Sequence, residues 1–263
     1  MKSTLFSLLA LAAFVYACFC AYLYLFQRSL IYFPTPVAER VPAEEVWVEN
    51  DDEKIRLWRL HSSQSNAIIY FGGNAEDVSY NAAEFSDWFP QHAVYLVNYR
   101  GYGGSSGKPG EAAFHSDAQA VFDFVTERHA AVSLIGRSLG AAVAVCLATH
   151  RDVERLALVT PFDSLASLAR EFYPIFPTRL LLKDTYDTVG PAARVRAPAL
   201  VLVAEHDEII PRPSTDRLAD ALGGPHTMRV IQRTGHNTIG TSPDYGRALQ
   251  EFMTLQPGNA GVQ

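Results

Sequence analysis

The chain has 263 residues, of which 48% are hydrophobic, and a formal net charge of -6. This length and composition fit one α/β domain plus an appendage. The positive charges are scattered and form no basic run, so we expect no nucleic-acid partner. Cys18 and Cys20 lie in an apolar N-terminal stretch, which leaves Cys146 alone in the remainder, and we expect no internal disulfide there. The Cys and His residues show no metal-ligand spacing, so we expect no metal.

The apolar N-terminal stretch is the first element of the chain. Residues 3–27 carry no charge, and this run exceeds the roughly 20 apolar residues that cross a bilayer core. The sequence therefore predicts a single-pass transmembrane anchor over residues 1–27, with Tyr22 and Tyr24 suited to the membrane interface. A cleaved signal peptide, with small residues from Ala17 to Ala21 near the processing site, is the alternative.

Two further properties of this segment stay open. Val15-Tyr16-Ala17-Cys18 is loosely similar to a lipoprotein signal, although a tyrosine two residues before the cysteine is bulky for that motif. Lys2 precedes the apolar run while Arg28 and Arg40 follow it. The charge asymmetry therefore does not decide on which side of the membrane the body lies.

A connector with three prolines is predicted over residues 28–45, followed by a catalytic domain over residues 46–263. Within that domain, runs with strand patterns alternate with runs of helical period. The predicted strands are 46–49, 55–61, 67–71, 93–98, a run that ends at 135, 156–160, 199–204 and 227–231. The predicted helices are 77–88, 111–129, a run that ends at 148, 165–182 with breaks at Pro174 and Pro177, 215–222 and 243–253.

This alternation predicts the fold class. Strands that alternate with helices form a mostly parallel central sheet with helices on both faces, which is the α/β class. No internal repeat or low-complexity tract interrupts the pattern. In such sheets, ligands bind at the carboxyl ends of the strands. We therefore expect the catalytic or binding residues in the loops that follow the strands.

One such loop has the pattern Gly136-Arg137-Ser138-Leu139-Gly140, after a predicted strand and before a predicted helix. In a nucleophile elbow, a serine occupies a strained turn of this kind with its hydroxyl exposed, and the glycines keep side chains out of the tight turn. We therefore predict that Ser138 is a nucleophile. Ser105 lies in a second G-x-S-x-G pattern, but in a glycine-rich polar loop with no helix directly after it, so it is the weaker candidate.

The strand predicted to end at Phe71 is followed by Gly72-Gly73-Asn74-Ala75. Two glycines let the backbone turn so that an N–H faces an anion, and such donors stabilise negative charge that develops in a transition state. We predict that the backbone N–H groups of Asn74 and Leu139 form an oxyanion hole. An ordinary glycine turn is the alternative.

Two later loops contain a carboxylate and a histidine. Asp207 lies three residues after the predicted strand 199–204, where it can orient a histidine and stabilise its imidazolium form. Glu205 and Glu208 are alternatives in the same loop, and Asp163 is an alternative after the preceding strand, although it is better explained as part of a helix N-cap.

His236 follows Gly235 in the loop after the last predicted strand, where its imidazole can reach a serine. We predict that His236 is the general base. His206 is the nearest rival, but it is adjacent to Asp207 in the chain, and neighbouring side chains in a loop do not normally face each other. The order Ser138, Asp207, His236 is one in which such triads occur.

Together these motifs resemble the α/β-hydrolase superfamily and, within it, the membrane-anchored branch of Bem46-like proteins and animal depalmitoylating hydrolases. Two positions depart from the usual pattern: Gly72 stands where relatives have His, and Asn98 stands where they have Asp. The oxyanion donor is a backbone N–H, so the first change leaves it in place. The stretches that carry the resemblance are 26–34, 71–75, 98–107, 136–140, 160–164, 206–211 and 235–237.

The resemblance implies an α/β-hydrolase fold and hydrolysis of a small or lipid-like acyl ester or thioester, with no cofactor. A peptidase of the aminopeptidase type and a non-catalytic, membrane-tethered binding module are the alternative functions. Residues 162–198 stand where relatives insert a lid. We expect the apolar side chains of this segment mainly in the domain core. The alternative is that they form an apolar rim that admits an acyl chain close to the membrane. They are Phe172, Tyr173, Ile175, Phe176, Leu180, Leu181 and Leu182.

Overall fold

The computed structural model describes residues 2–254, so residue 1 of the predicted anchor and residues 255–263 of the predicted catalytic domain lie outside the described part. Eight strands form one sheet within that part. Their bounds are β1 Glu44–Asn50, β2 Glu53–Leu60, β3 Asn66–Phe71, β4 His92–Val97, β5 Ala131–Arg137, β6 Leu156–Val159, β7 Ala199–Ala204 and β8 His226–Ile231. Each of the eight predicted strands corresponds to one of these.

The strand order is β1-β2-β4-β3-β5-β6-β7-β8. The pairs β1–β2 and β2–β4 are antiparallel, and the pairs from β4 onward are parallel. The carboxyl ends of the parallel strands therefore meet at one edge of the sheet. Every residue of β4, β6 and β7 is buried, as expected for strands covered on both faces. This confirms the predicted α/β architecture.

The helices lie where helical periodicity predicted them, with shifted ends. Their bounds are α1 Lys2–Ile31, α2 Ala82–Trp88, α3 Glu111–Thr126, α4 Leu139–Ala148, α5 Leu165–Phe172, α6 Thr178–Leu181, α7 Val189–Ala192, α8 Arg212–Ala221 and α9 Pro243–Thr254. Short 3₁₀ turns precede α2 and α9, at Val78–Asn81 and Ile239–Thr241. The four-residue helix α7 was not predicted, because a single turn has no measurable period.

Helix α1 continues to Ile31, so four residues that the sequence assigned to the connector are helical. It is long and apolar enough to cross a membrane, and its most apolar window has no buried residue. Its C-terminal part is bound to the body. Arg28 forms an ion pair of 3.0 Å with buried Asp184, while Gln27 accepts from the Lys183 N–H at 2.7 Å and donates to the Leu181 carbonyl at 3.0 Å.

The segment between α5 and α6 contradicts the expectation that its apolar side chains fill the core. Phe172, Tyr173, Ile175 and Leu180 are 52–81% exposed. The physical reason is the pair of prolines at 174 and 177, each of which lacks an N–H and favours helix ends. Helix α5 ends at Phe172 and α6 begins at Thr178. The turn between them projects outward instead of continuing along the sheet.

Away from this segment, a buried ion pair joins three elements of the body. Asp117 on α3 accepts from the Arg100 guanidinium at 2.5 and 3.0 Å and from the Asn50 amide at 2.8 Å. The Asp117 side chain is 4% exposed and that of Arg100 11%. Removal of one member of a buried pair leaves the other charge uncompensated.

We expect Asp117→Ala to lower the free energy of unfolding by about 3–5 kcal/mol, because Arg100 would lose its buried counter-charge. The measurement is urea unfolding of the detergent-solubilised protein, followed by circular dichroism. The matched control is Asp123→Ala on the same helix. Its pair with Arg151 is exposed, so a loss of about 0–1 kcal/mol is expected. Equal losses from both variants would contradict this account.

Candidate active site

The site is centred on the turn between β5 and α4. Ser138 lies between Arg137, the last residue of the strand, and Leu139, the first of the helix. Its backbone has φ 50° and ψ -113°, a region that non-glycine residues rarely occupy and that requires support from the surrounding structure. The flanking glycines provide room for this turn. A Cβ on Gly136 would lie 2.7 Å from Ala141 Cα, and one on Gly140 would overlap the Phe71 carbonyl oxygen.

The three residues predicted to act together are in contact. His236 Nε2 lies 3.0 Å from Ser138 Oγ, and His236 Nδ1 lies 2.9 and 3.1 Å from the two Asp207 carboxylate oxygens. The side chains of His236 and Asp207 are 6% and 7% exposed. The Asp207 carboxylate also accepts from the backbone N–H groups of Ile209 and Ile210 at 2.9 and 2.7 Å. These bonds hold the carboxylate in an orientation suited to fixing the imidazole.

The two rival carboxylates of this loop have structural partners. Glu208 accepts from the backbone N–H of His236 at 3.1 Å, and Glu205 accepts from the N–H of Arg233 at 2.6 Å. Both therefore support the backbone of the loop that contains His236. The rival histidine, His206, is 72% exposed in its side chain and lies 3.6 Å from Glu205.

The remaining rivals also lie apart from the Ser138–His236 pair. Asp163 accepts from the Ser164 N–H, from the Ser214 hydroxyl and from Arg217. Ser105 is buried. Its hydroxyl donates to the Asn98 carbonyl at 2.8 Å and accepts from the Arg56 N–H at 2.9 Å, so it fixes the loop after β4 to strand β2.

The loop after β3 lies against the turn at Gly136–Gly140, which contains the predicted nucleophile Ser138 and is called the nucleophile turn below. A Cβ on Gly73 would lie 3.8 Å from the Cβ of Ser138. The side chain of the next residue, Asn74, is fully engaged elsewhere: it donates to the Ile31 carbonyl at 2.6 Å and accepts from the Tyr102 hydroxyl at 2.8 Å and from the Phe33 N–H at 3.2 Å. The loop is thereby fixed to the end of α1.

A largely shielded glutamate, which the sequence motifs did not indicate, connects this loop to the nucleophile turn; its side chain is 12% exposed. Glu76 accepts from the Gly73 N–H at 2.6 Å, from Arg137 at 3.2 Å and from the Tyr70 hydroxyl at 2.6 Å. Arg137 in turn donates to the His236 carbonyl at 3.4 Å. Burial, with Glu76 beside it, raises the pKa of Tyr70 well above its usual range, so Tyr70 stays a neutral donor.

The sequence held one signal for this contact: an arginine inside G-x-S-x-G and a carboxylate directly after the glycine loop. Neither residue type is diagnostic alone, and only the sheet places β3 beside β5. Within residues 2–254, no group of three or more His, Cys, Asp or Glu side chains could hold a metal ion.

Comparison with known proteins shows the family of the chain. The chain is 38% identical over 229 residues to the uncharacterized protein Rv2307c of Mycobacterium tuberculosis. The aligned region covers 80% of each of the two chains. It is 24% identical over 261 residues to the protein bem46 of Schizosaccharomyces pombe, which covers 88% of this chain and 87% of bem46. No family model matches the chain.

Among solved structures, the Pyrococcus furiosus esterase Pf2001 superimposes with a TM-score of 0.69 at 17% identity, over 85% of this chain and 98% of the esterase. The topology and the elbow define an α/β-hydrolase fold. The chain belongs to the α/β-hydrolase superfamily, and bem46 is among its relatives. The family resemblance read from the sequence motifs is confirmed.

We expect Glu76→Gln to lower the free energy of unfolding by about 1.5–3 kcal/mol, because the charge-assisted bonds from Arg137 and the Gly73 N–H are weakened. Urea unfolding measures the loss, and hydrogen exchange of the peptide covering residues 72–76 should be faster. The control is Glu84→Gln on α2, whose side chain faces solvent. Unchanged exchange of that peptide would show that Glu76 does not hold the loop.

Proposed function

We propose that the chain is a membrane-anchored serine hydrolase that cleaves carboxylic ester or thioester bonds through an acyl-enzyme. The observation that carries the proposal is the contact of Ser138 Oγ with His236 Nε2 at 3.0 Å, continued by His236 Nδ1 to Asp207 at 2.9 Å. A hydroxyl paired with an imidazole that a carboxylate orients is the arrangement that activates a serine nucleophile.

In the first half of the reaction, His236 Nε2 takes the proton of Ser138 as the oxygen attacks the acyl carbon. The carbonyl π pair moves to its oxygen, and the backbone N–H groups of Asn74 and Leu139 stabilise that oxyanion. The tetrahedral intermediate collapses, the bond to the leaving alkoxide or thiolate breaks, and His236 returns the proton to it. Asp207 stabilises the imidazolium form throughout.

In the second half, water attacks the acyl-serine with His236 as the base. The bond to Ser138 Oγ breaks, the proton returns to that oxygen, and a carboxylic acid is released. The position of Leu139 supports its oxyanion role. It is the first residue of α4, where backbone N–H groups have no partner within the helix and the helix dipole is positive. Removal of one such donor typically costs about 10²–10³ in rate.

The membrane anchor is supported by the length and hydropathy of α1 and by the way its end is attached. The Asn74 side chain binds the Ile31 carbonyl, and Arg28 binds Asp184. Removal of the segment up to residue 21 would leave these contacts in place but would expose the apolar side chains that face the middle of α1. An uncleaved anchor therefore fits the packing better than a cleaved signal peptide.

We expect Ser138→Ala to abolish covalent labelling of the detergent-solubilised full-length protein by a fluorophosphonate, because the probe needs an activated serine hydroxyl. Turnover of p-nitrophenyl acyl esters should fall by at least about 10³-fold. Ser105→Ala is the control and should keep its labelling. Labelling that survives Ser138→Ala would refute the assignment, and folded protein with neither labelling nor turnover would favour a binding module. Faster turnover of aminoacyl anilides than of esters would favour a peptidase.

Asp207→Asn should reduce kcat by about 10⁴-fold, because an amide that donates toward Nδ1 favours the wrong imidazole tautomer. The KM for the same acyl ester should change little, since Asp207 contacts His236 and not the substrate. The control is Glu205→Gln, which should keep most of its activity. If Glu205→Gln or Asp163→Asn caused the larger loss, the assignment of Asp207 would be wrong.

A further inference from the structure

The outward turn between α5 and α6 contacts the middle of α1. Tyr16 donates its hydroxyl proton to the Ile175 carbonyl at 2.7 Å. The Phe176 ring stacks on Tyr16 and on Phe19, with centroid distances of 5.9 and 5.4 Å. A groove of about 530 Å³ with apolar walls lies between α1 and Phe176. The turn thus extends along the apolar helix, away from the connector that joins the helix to the body.

The position of these contacts along α1 fixes their depth in a membrane. A bilayer core requires about 20 helical residues, and every window of that length between Lys2 and Ile31 includes residues 12–21. Tyr16 and Phe19 therefore lie at hydrocarbon depth wherever the helix is placed. At 1.5 Å per residue, they lie about 8–12 Å deeper than Tyr24.

Charged residues flank this region: Glu171 directly precedes Phe172, and Arg179 directly follows Thr178. The Lys183 ammonium lies 4.1 Å from the centre of the Tyr24 ring, and Arg28 pairs with Asp184. Residues 172–178 carry no charge, and the exposed Arg179 has a side chain long enough for its guanidinium to reach headgroup level. Aromatic and basic side chains concentrate at headgroup level, whereas the hydrocarbon core excludes charge. The distribution along the segment follows that division.

Several backbone groups of the turn have hydrogen-bond partners within the protein. In hydrocarbon, each peptide group must find its partner within the protein. The Phe176 N–H donates to the Tyr173 carbonyl at 3.1 Å, the Thr178 N–H donates to the Phe176 carbonyl at 2.8 Å, and the Ile175 carbonyl accepts from Tyr16. Pro174 and Pro177 have no backbone N–H that would need a partner.

We propose that residues 172–180 form a second membrane-inserted element, which enters the same leaflet as the C-terminal half of α1 and is covered by lipid acyl chains. We call these residues the insertion segment. The exposed side chains of Phe172, Tyr173, Ile175 and Leu180 contact the lipid. The inference rests on the proposed function only through the membrane anchor α1.

Insertion at two points fixes the orientation of the body on the bilayer. The Asn74 side chain binds the last carbonyl of α1, at Ile31, so the proposed oxyanion loop lies near headgroup level, about 10 Å beyond Tyr24 along the helix axis. Substrates that reside in that leaflet, with an acyl chain in the hydrocarbon and the ester or thioester at the headgroups, are the class that this orientation favours.

The test uses single-cysteine variants of the full chain in phosphatidylcholine vesicles, each labelled with nitrobenzoxadiazole. The native cysteines are first replaced by alanine, and Ile175→Cys and Leu180→Cys probe the insertion segment. The reference for the membrane is Phe14→Cys in α1, which lies within residues 12–21 and is 66% exposed. The matched surface control is Glu127→Cys at the end of α3, which lies at the opposite edge of the sheet from the site and has a 72% exposed side chain.

We expect the labels at 175 and 180 to show blue-shifted emission and to be quenched by nitroxide groups on the lipid acyl chains as strongly as the label at Phe14. The label at Glu127 should show neither effect. Emission and quenching at 175 and 180 that match those at Glu127 would overturn the proposal. Blue-shifted emission without quenching would also overturn it, because a protein surface and not lipid would then cover the segment.

Two further measurements separate the possible failures. An unquenched label at Phe14 would show that α1 is not in the bilayer, and the proposal would fall with the anchor. Fluorophosphonate labelling of Ser138, measured on the same vesicles, reports the proposed hydrolase chemistry independently. Labelled Ser138 together with an unquenched insertion segment would overturn insertion alone.

Discussion

The site depends on a close backbone approach between the start of α4 and the end of β3. A Cβ on Gly140 would overlap the Phe71 carbonyl oxygen and lie 2.6 Å from that of Gly72. Only glycine permits this packing. The approach sets the nucleophile turn against the glycine loop, so that Ser138 and the Asn74 N–H belong to one rigid unit. The strained φ of Ser138 is held by the same packing, in line with strain that persists only where the surroundings over-determine it.

Two charged side chains, Glu76 and Arg137, then bond the loops that the glycines allow to approach each other. Glu76 bonds the glycine loop through the Gly73 N–H and the nucleophile turn through Arg137, and Arg137 reaches the His236 carbonyl. Three loops that follow three different strands are thus joined by two side chains. Because these charges are mostly shielded from water, their bonds are stronger than exposed ones and their loss is costlier. This contact orders the loops without touching the reacting atoms.

The sequence was sufficient for the fold and for the positions of the main site residues, because each depends on a local pattern. Period-2 and period-3.6 runs indicated the strands and helices, and the context before and after Ser138 separated it from Ser105. Two features depend instead on tertiary contacts. The Glu76–Arg137 pair needs β3 beside β5, which no local pattern contains. The apolar side chains of the outward turn at residues 172–180 were expected in the core, because hydrophobicity alone does not distinguish a buried side chain from an exposed one.

The contacts of α1 with the insertion segment and with the glycine loop connect the helix to the body at two places. In water, the exposed apolar side chains of the insertion segment would be an aggregation liability, whereas beside an apolar helix in a bilayer they continue its surface. The Asn74 bond to Ile31 then links the helix to the glycine loop. A change in the tilt of α1 would move the Ile31 carbonyl and strain that loop, unless the insertion segment held the tilt constant. The contact of Tyr16 with Ile175 lies about 22 Å along the helix from Ile31, and this separation gives the body two distant points at which to resist rotation. Fixed tilt and a fixed glycine loop are therefore two consequences of a single packing arrangement.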